Sequence, residues 1–432
     1  MKTVSLNDSL ESKLLMLAAC QTLGDEQKTL FEQLLSTGSV DWQRLVHLST
    51  VHGTYPLLCR HLNAFPEFVP ASILASLQKA ADANARKNVC FMAELIKLKA
   101  LFAAKQIQFI TYKGPSLAFA AYGDLSSREF VDLDIVVDHT QLPLVQNTLF
   151  EAGYGAEPAK HNLSKDFMAS DLFRKLEFEQ TFSRRPNVAA VATSFVDVHW
   201  KVAPQHVVDL RFEELMKNSV EIDLCERKFR TFVPELLLVL LCCHATKHQW
   251  LLLKWLVDVA AVVQRNRQLD WHKVYEIAQR FGVCAKVDLA LILCAELPGY
   301  RHDLPADIAN RLNSQLKRFA PIKRQTLQSW FNPGSEKSNH RLHWRYELAT
   351  FDTYQQRASF MLHELFDPGL PTYLRSPLPA ALYPLYHVIH PLVTMQDFLG
   401  ARLQAFASKT CASRSGPFRT RATSSVLQNS VS

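Results

Sequence analysis

One short apolar run constrains this chain more than any other part of it: residues 131–137 carry two aspartates one residue apart. Side chains alternate along a β-strand, so Asp132 and Asp134 would project from one face and the aliphatic residues beside them from the other, buried face. Two carboxylates fixed close together repel each other unless a cation lies between them. Mg²⁺ is the usual cation where the phosphates of a nucleotide supply further oxygen ligands. The run therefore predicts a strand that presents a metal site for phosphoryl or nucleotidyl transfer.

A third carboxylate follows in a second strand-like run, residues 194–200. Alternation places Asp197 and His199 on one face of this strand and apolar residues on the other. If the two strands are neighbours, Asp197 joins the two aspartates of the first run. The alternative is that all these acids are solvated residues on half-exposed strands, which would be preferred for an isolated Asp-x-Asp. A Lys113-Gly114 pair upstream and the third acid downstream favour the metal site.

The order of these and several smaller motifs resembles an uncharacterised family of bacterial nucleotidyltransferase-like proteins, within the polymerase-β-type nucleotidyltransferase superfamily. Each piece is weak alone, but the ordered series is specific and extends over about residues 40 to 265. The matching pieces are Lys113-Gly114, Leu117, Tyr122-Gly123-Asp124, Arg128, Asp132-x-Asp134, Asp197-x-His199-Trp200 and His244-x-x-Lys247-His248-x-Trp250.

The resemblance implies an α+β fold, a polymerase-β-type mixed sheet core flanked by N-terminal and C-terminal helical regions. It also implies catalytic and metal-binding roles for Asp132, Asp134 and Asp197. They would hold two Mg²⁺ ions, with Mn²⁺ as the alternative metal, and a nucleoside triphosphate would be the donor. A bacterial origin accompanies this family, and nine scattered cysteines, read as buried free thiols, favour a reducing cytoplasm.

The chain departs from the wider superfamily where the first helix of the core begins. The superfamily usually has Gly-Ser there, whereas this sequence has Lys113-Gly114-Pro115-Ser116. Proline fits the first turn of a helix, and backbone N–H groups at a helix start can bind phosphate. We therefore expect Lys113, Gly114 and Ser116 to contact the nucleotide. Arg128, whose guanidinium fork suits phosphate, is expected over the triphosphate, with a surface salt bridge as its alternative role.

Two histidines one helical turn apart, His244 and His248, form a second cluster in a helical part of the chain. The glutamate of a zinc-hydrolase His-Glu-x-x-His motif is absent, which argues against zinc hydrolysis. Together with Lys247, Asp258 and His199, these histidines are candidates for the acceptor side of the cleft. The alternative is that they make polar contacts that lock helices to the sheet.

The 432 residues, of which 48% are hydrophobic, are enough to bury a large core in two or three subdomains. Strands are predicted near 107–112, 131–137, 176–182 and 194–200, helices near 115–122 and 140–152, and a hairpin between 219 and 232. The predicted organisation is an N-terminal helical region at 1–105, a nucleotidyltransferase core at 106–232, a C-terminal helical domain at 233–406 and a disordered basic tail at 407–432.

Composition argues against several classes of protein. Nine cysteines contain no Cys-x-x-Cys pair, which disfavours a zinc site or a disulfide framework. The first residues contain acids where a signal peptide needs an apolar core, and no run is long and unbroken enough to predict a membrane span. Much of the +7 formal charge lies in the tail, so a nucleic-acid partner stays open but is not favoured.

The expected reaction moves a nucleoside monophosphate from the triphosphate to an acceptor that the sequence does not identify, with a small molecule or saccharide intermediate favoured. Two alternatives stay open. One is a non-catalytic nucleotide-binding or regulatory protein on the same fold, for which the missing Gly-Ser is the main argument. The other is a toxin–antitoxin-type nucleotidyltransferase that modifies tRNA or a protein.

Overall fold

The computed structural model describes residues 9–157, 163–184, 194–202, 208, 210–300, 304–333 and 346–396. The chain divides into two compact units, Met1–Met361 and Leu362–Ser432. The predicted boundaries near 105 and 232 both fall within the first unit. The predicted tail at 407–432 lies outside the described residues and stays a prediction.

Helices form the N-terminal part of the first unit, as the spacing of apolar residues predicts. They are α1 (Leu10–Ala18), α2 (Asp25–Ser36), α3 (Trp42–Val51), α4 (Tyr55–Leu62) and α5 (Ala71–Ala104). The start of α3 shows how local chemistry sets a helix boundary. The carboxylate of Asp41 accepts the backbone N–H of Arg44 at 3.0 Å, which satisfies a donor that the first helical turn leaves free.

A five-stranded mixed sheet follows, with strand order β1-β2-β5-β4-β3. Its strands are β1 (Phe109–Thr111), β2 (Leu133–Val137), β3 (Gly155–Ala156), β4 (Glu179–Arg184) and β5 (Ser194–His199). Strand β2 pairs parallel with β5, and the other neighbouring pairs are antiparallel. The connecting helices are α6 (Gly114–Leu117), which a π-helical turn (Ala118–Tyr122) continues, α7 (Leu142–Glu151), α8 (Lys165–Met168) and α9 (Asp171–Leu176). The α+β fold is confirmed.

The strand predicted at 176–182 is wrong at its N-terminal end, because helix α9 continues to Leu176 and β4 begins at Glu179. Leu172, Phe173 and Leu176 are all buried. Their spacing of one and four residues fits one face of a helix and does not fit the alternation of a strand.

The predicted hairpin is confirmed, and a helical region follows it. These elements are α10 (Phe212–Lys217), β6 (Ser219–Leu224), β7 (Arg227–Phe232), α11 (Pro234–Lys247), α12 (Leu253–Arg265), α13 (Trp271–Arg280), α14 (Cys284–Cys294), α15 (Ala306–Phe331), α16 (346–349), α17 (Tyr354–Phe366), α18 (Leu370–Arg375) and α19 (386–396). Within the described parts of the chain, no helix is both long and apolar enough to cross a membrane.

The two faces of the sheet pack against different apolar clusters. Leu133 and Ile135 of β2 belong to a cluster shared with α5 and α7. Val136 belongs to a second cluster, which contains residues of the N-terminal helices and of α11 to α15. Because side chains alternate, Asp134 projects from the same face as Val136. The polar residues of the central strands therefore face the helical layer built from both ends of the first unit.

His52, which is neutral, forms hydrogen bonds that connect the N-terminal helices to later parts of the first unit. Its Nε2 donates to the carbonyl oxygen of Trp330 at 2.7 Å, and its Nδ1 accepts the N–H of Leu253 at 3.3 Å. Since a nitrogen that accepts a hydrogen bond carries no proton, only the neutral tautomer satisfies both contacts. Burial lowers the pKa of His52, in agreement with this assignment.

Acidification should therefore destabilise the fold through His52. Because the pKa of His52 is lower in the folded protein, the unfolded chain binds a proton at His52 more readily than the folded one. The contribution of neutral His52 to folding stability is therefore complete above a pH of about 6.5 and is lost as the pH falls below it. We expect the melting temperature of the wild type to fall more steeply between about pH 7 and pH 5 than that of His52→Gln, whose amide can still donate to Trp330. His139→Gln, at a side chain that is 70% exposed, is the control. Equal pH dependences for wild type and His52→Gln would contradict the assignment.

Candidate active site

Asp134 and Asp197 lie directly opposite each other on the neighbouring parallel strands β2 and β5. One side-chain atom each from Asp134, Asp197 and His199 lies within 4.8 Å of the others. Asp132 immediately precedes β2, is half-buried, and interacts electrostatically with both other aspartates. The structure thus brings the three predicted carboxylates together on adjacent strands.

Two cationic side chains neutralise Asp134. Nζ of Lys113 lies 3.0 Å, and Nε2 of His199 lies 3.1 Å, from the same carboxylate oxygen, Oδ1. Burial alone would raise the pKa of Asp134, but the charges and hydrogen bonds of Lys113 and His199 hold it below its usual range. Asp134 is therefore ionised and paired, which corrects the simpler expectation of two aspartates that only repel each other.

His199 lies between two carboxylates. Its Nε2 faces Asp134, and its Nδ1 lies 3.1 Å from Oε2 of Glu179 on β4. Burial would lower the pKa of His199, but the neighbouring Tyr112 and the two carboxylates raise it well above its ordinary value. The group of side chains close enough to hold a cation comprises Asp134, Asp197 and His199, and the carboxylates supply the oxygen ligands that Mg²⁺ prefers.

The other two aspartates have raised pKa values. Burial and the charges of Asp134 and Asp197 raise the pKa of Asp132 to about 6. Burial and Asp134 also raise the pKa of Asp197, opposed by the Thr181 hydroxyl, which donates to Oδ1 at 2.7 Å. A divalent cation bound between these carboxylates would offset their mutual repulsion and favour their ionised forms.

Lys113 reaches Asp134 because the chain turns sharply at Gly114. The φ angle of Gly114 is +52°, and a β-carbon there would lie 3.1 Å from the carbonyl oxygen of Asp132. Ser116 stabilises the same turn, since its hydroxyl donates to the carbonyl oxygen of Lys113 at 2.8 Å. Ser116 is fully buried, so the hydroxyl expected to contact a nucleotide instead serves the turn that presents Lys113.

Gly114→Ala should destabilise the protein by about 1–2 kcal/mol, because left-handed backbone costs that much for a residue with a β-carbon, and the methyl group also crowds Asp132. Gly155→Ala is the matched control, since its φ is ordinary and nothing lies within 4 Å of the added carbon. Thermal melts of both variants measure the difference. A melting temperature for Gly114→Ala equal to that of the control would show that the turn relaxes without cost.

The loop before β2 is held by buried polar contacts. Arg128 makes a two-pronged ion pair with Asp258 of α12, with Nε–Oδ1 at 2.7 Å and Nη2–Oδ2 at 3.0 Å. The Tyr122 hydroxyl donates to the same carboxylate at 2.7 Å. The carbonyl oxygen of Arg128 accepts from Asn84 at 3.2 Å and from Asn88 at 2.9 Å, both on α5. Arg128 is thus engaged in a buried salt bridge through Nε and Nη2, whereas its Nη1 is buried without a hydrogen-bond partner.

The predicted histidine cluster lies at the C-terminal end of α11. The rings of His244 and His248 are 4.8 Å apart, and both pack on Trp255. Burial and the charge of Lys113 lower the pKa of His244, and the charge of Asp134 opposes this, so His244 lies within electrostatic range of the Lys113–Asp134 pair. Lys247 extends from the same turn, with Nζ 4.7 Å from the ring centre of Phe178 at the start of β4. Of the five acceptor-side candidates, Asp258 is paired with Arg128 and Tyr122, and an acceptor role for the candidates stays a prediction.

Sequence reasoning missed residues that position the site. The spacing of Asn84 and Asn88, four residues apart in an otherwise regular helical pattern, was an available signal that α5 presents a polar face to a neighbour. No comparable signal marks Thr181, whose contact with Asp197 depends on the antiparallel register of β4 and β5.

Residues 38–299, more than half of the chain, match a protein family described as uncharacterised nucleotidyltransferase. The chain belongs to this family. The region matched by the nucleotidyltransferase family contains the five-stranded sheet, the three aspartates and the helices α11 and α12. The expected family relationship is confirmed by this match.

A similar solved structure is an antigenic nucleotidyltransferase-like protein from Paracoccidioides brasiliensis. It is 12% identical, the similarity covers 55% of this chain and 92% of that chain, and the TM-score is 0.29. That score is too low to carry an argument about fold or function. The search of curated proteins gives no match.

Proposed function

We propose that this member of the family is a Mg²⁺-dependent nucleotidyltransferase that moves a nucleoside monophosphate from a nucleoside triphosphate to a small-molecule or saccharide acceptor. The observation that supports this most is the direct opposition of Asp134 and Asp197 on parallel neighbouring strands, with Asp132 just before β2. Family membership supports the general reaction, and the carboxylates support the metal.

The residues present fit Mg²⁺, with Mn²⁺ as the alternative, because carboxylate oxygens are the ligands these ions prefer. Asp132 and Asp197, whose pKa values are raised, gain most from a nearby cation. Lys113 and His199 both contact Oδ1 of Asp134, which leaves Oδ2 for a metal. Bound by these aspartates, Mg²⁺ would polarise the α-phosphorus and offset the charge of the leaving pyrophosphate.

The protein's own groups prepare the site for this chemistry. Lys113 and His199 keep Asp134 ionised and fix its orientation. Thr181 holds one oxygen of Asp197, and the raised pKa of this carboxylate suits it to take the proton of an acceptor hydroxyl.

We assign the acceptor to the space between the end of α11 and the start of β4. His244 and Lys247 approach from the helix, and Glu177 from the other side. Burial and the neighbouring Glu179 raise the pKa of Glu177 to about 7, opposed by Lys247. These side chains offer both hydrogen-bond donors and hydrogen-bond acceptors at neutral pH. Such a lining suits a hydroxyl-rich small molecule such as a sugar.

A second function is favoured by three observations. Lys113 and His199 already neutralise Asp134, Ser116 at the turn of Gly114 is buried, and Arg128 is paired with Asp258. These features are also those expected of a nucleotide-binding protein that does not turn over its ligand.

Incubation with nucleoside triphosphates labelled at the α-phosphate, Mg²⁺ and pooled sugars or saccharide phosphates separates the two functions. The transferase should release pyrophosphate and attach label to an acceptor, with both signals abolished by EDTA. Mg²⁺-dependent binding of the triphosphate without pyrophosphate release from any acceptor pool would support the binding protein.

A further inference from the structure

A second charged cluster lies beside the aspartates, formed by Lys87 of α5, Glu129 of the loop before β2 and Lys254 of α12. We propose that Lys87 and Lys254 bind phosphate oxyanions, namely the β- and γ-phosphates of the donor and the pyrophosphate that leaves. This inference rests on the proposed function and assigns to these lysines the part of the donor that the aspartates do not hold.

The position of Lys87 follows from its neighbours on α5. Asn84 and Asn88 both donate to the carbonyl oxygen of Arg128, so this face of the helix lies against the loop. Lys87 is three residues after Asn84 and shares that side of the helix. Its side chain therefore projects toward Glu129, the residue that follows Arg128.

Lys254 approaches the same carboxylate from α12. Its Nζ lies 3.9 Å from Oε2 of Glu129, with the two side chains 21% and 23% exposed. The backbone of Gly53 packs closely on both, because a β-carbon there would lie 2.7 Å from Glu129 Oε2 and 2.7 Å from Lys254 Cδ. The N–H of Lys254 donates to the carbonyl oxygen of His52 at 3.2 Å. Lys254 is thus fixed in place but still reachable from solvent.

The lysines of this cluster are only loosely paired. Both face Glu129, whose carboxylate also interacts with the Tyr55 hydroxyl, and the contact of Lys254 with it is long, at 3.9 Å. Among the described residues, Lys87 makes no ion pair with a carboxylate, and burial lowers its pKa while Glu129 and Asp132 raise it. If a metal takes up the charge of Asp132, the two lysines are left with Glu129 as their shared carboxylate, and positive charge is in excess. Phosphate oxygens would supply the missing partners, since ammonium groups bind phosphate as point charges.

The test uses full-length Lys87→Gln and Lys254→Gln, with Lys79→Gln on an exposed part of α5 as the matched control. Binding of a non-hydrolysable nucleoside triphosphate, of inorganic pyrophosphate and of the nucleoside monophosphate is measured by calorimetry with Mg²⁺. Each lysine variant should bind the first two ligands about tenfold more weakly, and the monophosphate unchanged, because a charge-assisted hydrogen bond is lost. Glu129→Gln should bind pyrophosphate more tightly, since it removes the competing carboxylate.

The outcomes separate this proposal from the proposed function. Triphosphate binding equal to wild type in both lysine variants would overturn the phosphate assignment and leave the transferase standing. An equal loss of affinity for the triphosphate and the monophosphate would also overturn the phosphate assignment. The loss would then not depend on the β- and γ-phosphates, which the monophosphate lacks. If the wild type binds pyrophosphate through these lysines but binds no triphosphate, the anion site stands and the nucleotidyltransferase falls. A wild type that binds none of the ligands would overturn both.

Discussion

Replacing Asp258 by alanine should lower the free energy of unfolding by about 3–5 kcal/mol, because it leaves the buried guanidinium of Arg128 without a counter-charge. The side chains of Arg128 and Asp258 are only 8% and 2% exposed. Tyr122 loses its hydrogen-bond acceptor in the same variant. Chemical denaturation followed by circular dichroism measures the loss.

Two comparisons show whether the effect belongs to the buried pair. Asp223→Ala removes one partner of an exposed ion pair, with side chains 61% and 66% exposed, and should leave the stability nearly unchanged. The double variant Arg128→Met with Asp258→Leu removes both charges and should recover much of the lost stability. If Asp258→Ala costs no more than Asp223→Ala, the salt bridge does not hold the loop.

Asp132→Asn and Asp134→Asn should change the stability of the metal-free protein in opposite directions. The pKa of Asp132 is raised from 3.8 to about 6, so its ionisation removes folding stability as the pH rises through that interval. Asp132→Asn avoids this loss and should stabilise the fold at neutral pH by about 1–3 kcal/mol. Asp134→Asn leaves Lys113 and His199 without their shared carboxylate and should cost about 3 kcal/mol or more.

Thermal melts in EDTA at about pH 7.5 test this difference, and Asp138→Asn, at a residue just after β2, is a matched control. A melt at about pH 5 adds a second check. There the wild-type Asp132 is largely protonated, so the advantage of Asp132→Asn should shrink. Stabilisation by both variants would show that the aspartates only repel one another, as the sequence alone suggested.

The sequence predicted the central strands because their pattern is local. The alternation of apolar and acidic residues in β2 and β5 depends on nothing outside each strand, and it placed Asp134 and Asp197 on one face. The predicted metal site required these two strands to be neighbours, and they pair in parallel register. Helix α9 was missed because the strand pattern was extended back to residue 176, where the buried residues have helical spacing.

The electrostatic partners could not be read from the sequence, because they join residues far apart in the chain. Lys113 was expected to face phosphate, yet its ammonium group lies on Asp134, 21 positions later. Arg128 and Asp258 were assigned to different sides of the cleft and instead pair across 130 positions. Such pairings depend on how the helices pack against the sheet. The periodicity of apolar residues along the sequence contains no information about this packing.

Mg²⁺-dependent binding of a nucleoside triphosphate tests the central claim most directly, measured by equilibrium dialysis for wild type and Asp132→Asn with and without Mg²⁺. The account predicts that wild type binds only with Mg²⁺, and that Asp132→Asn binds at least about tenfold more weakly because a metal ligand is lost. Since this variant should melt at a higher temperature than wild type, misfolding cannot explain the loss. Binding by Asp132→Asn equal to that of wild type, or wild-type binding that does not depend on Mg²⁺, would contradict the metal-dependent nucleotidyltransferase.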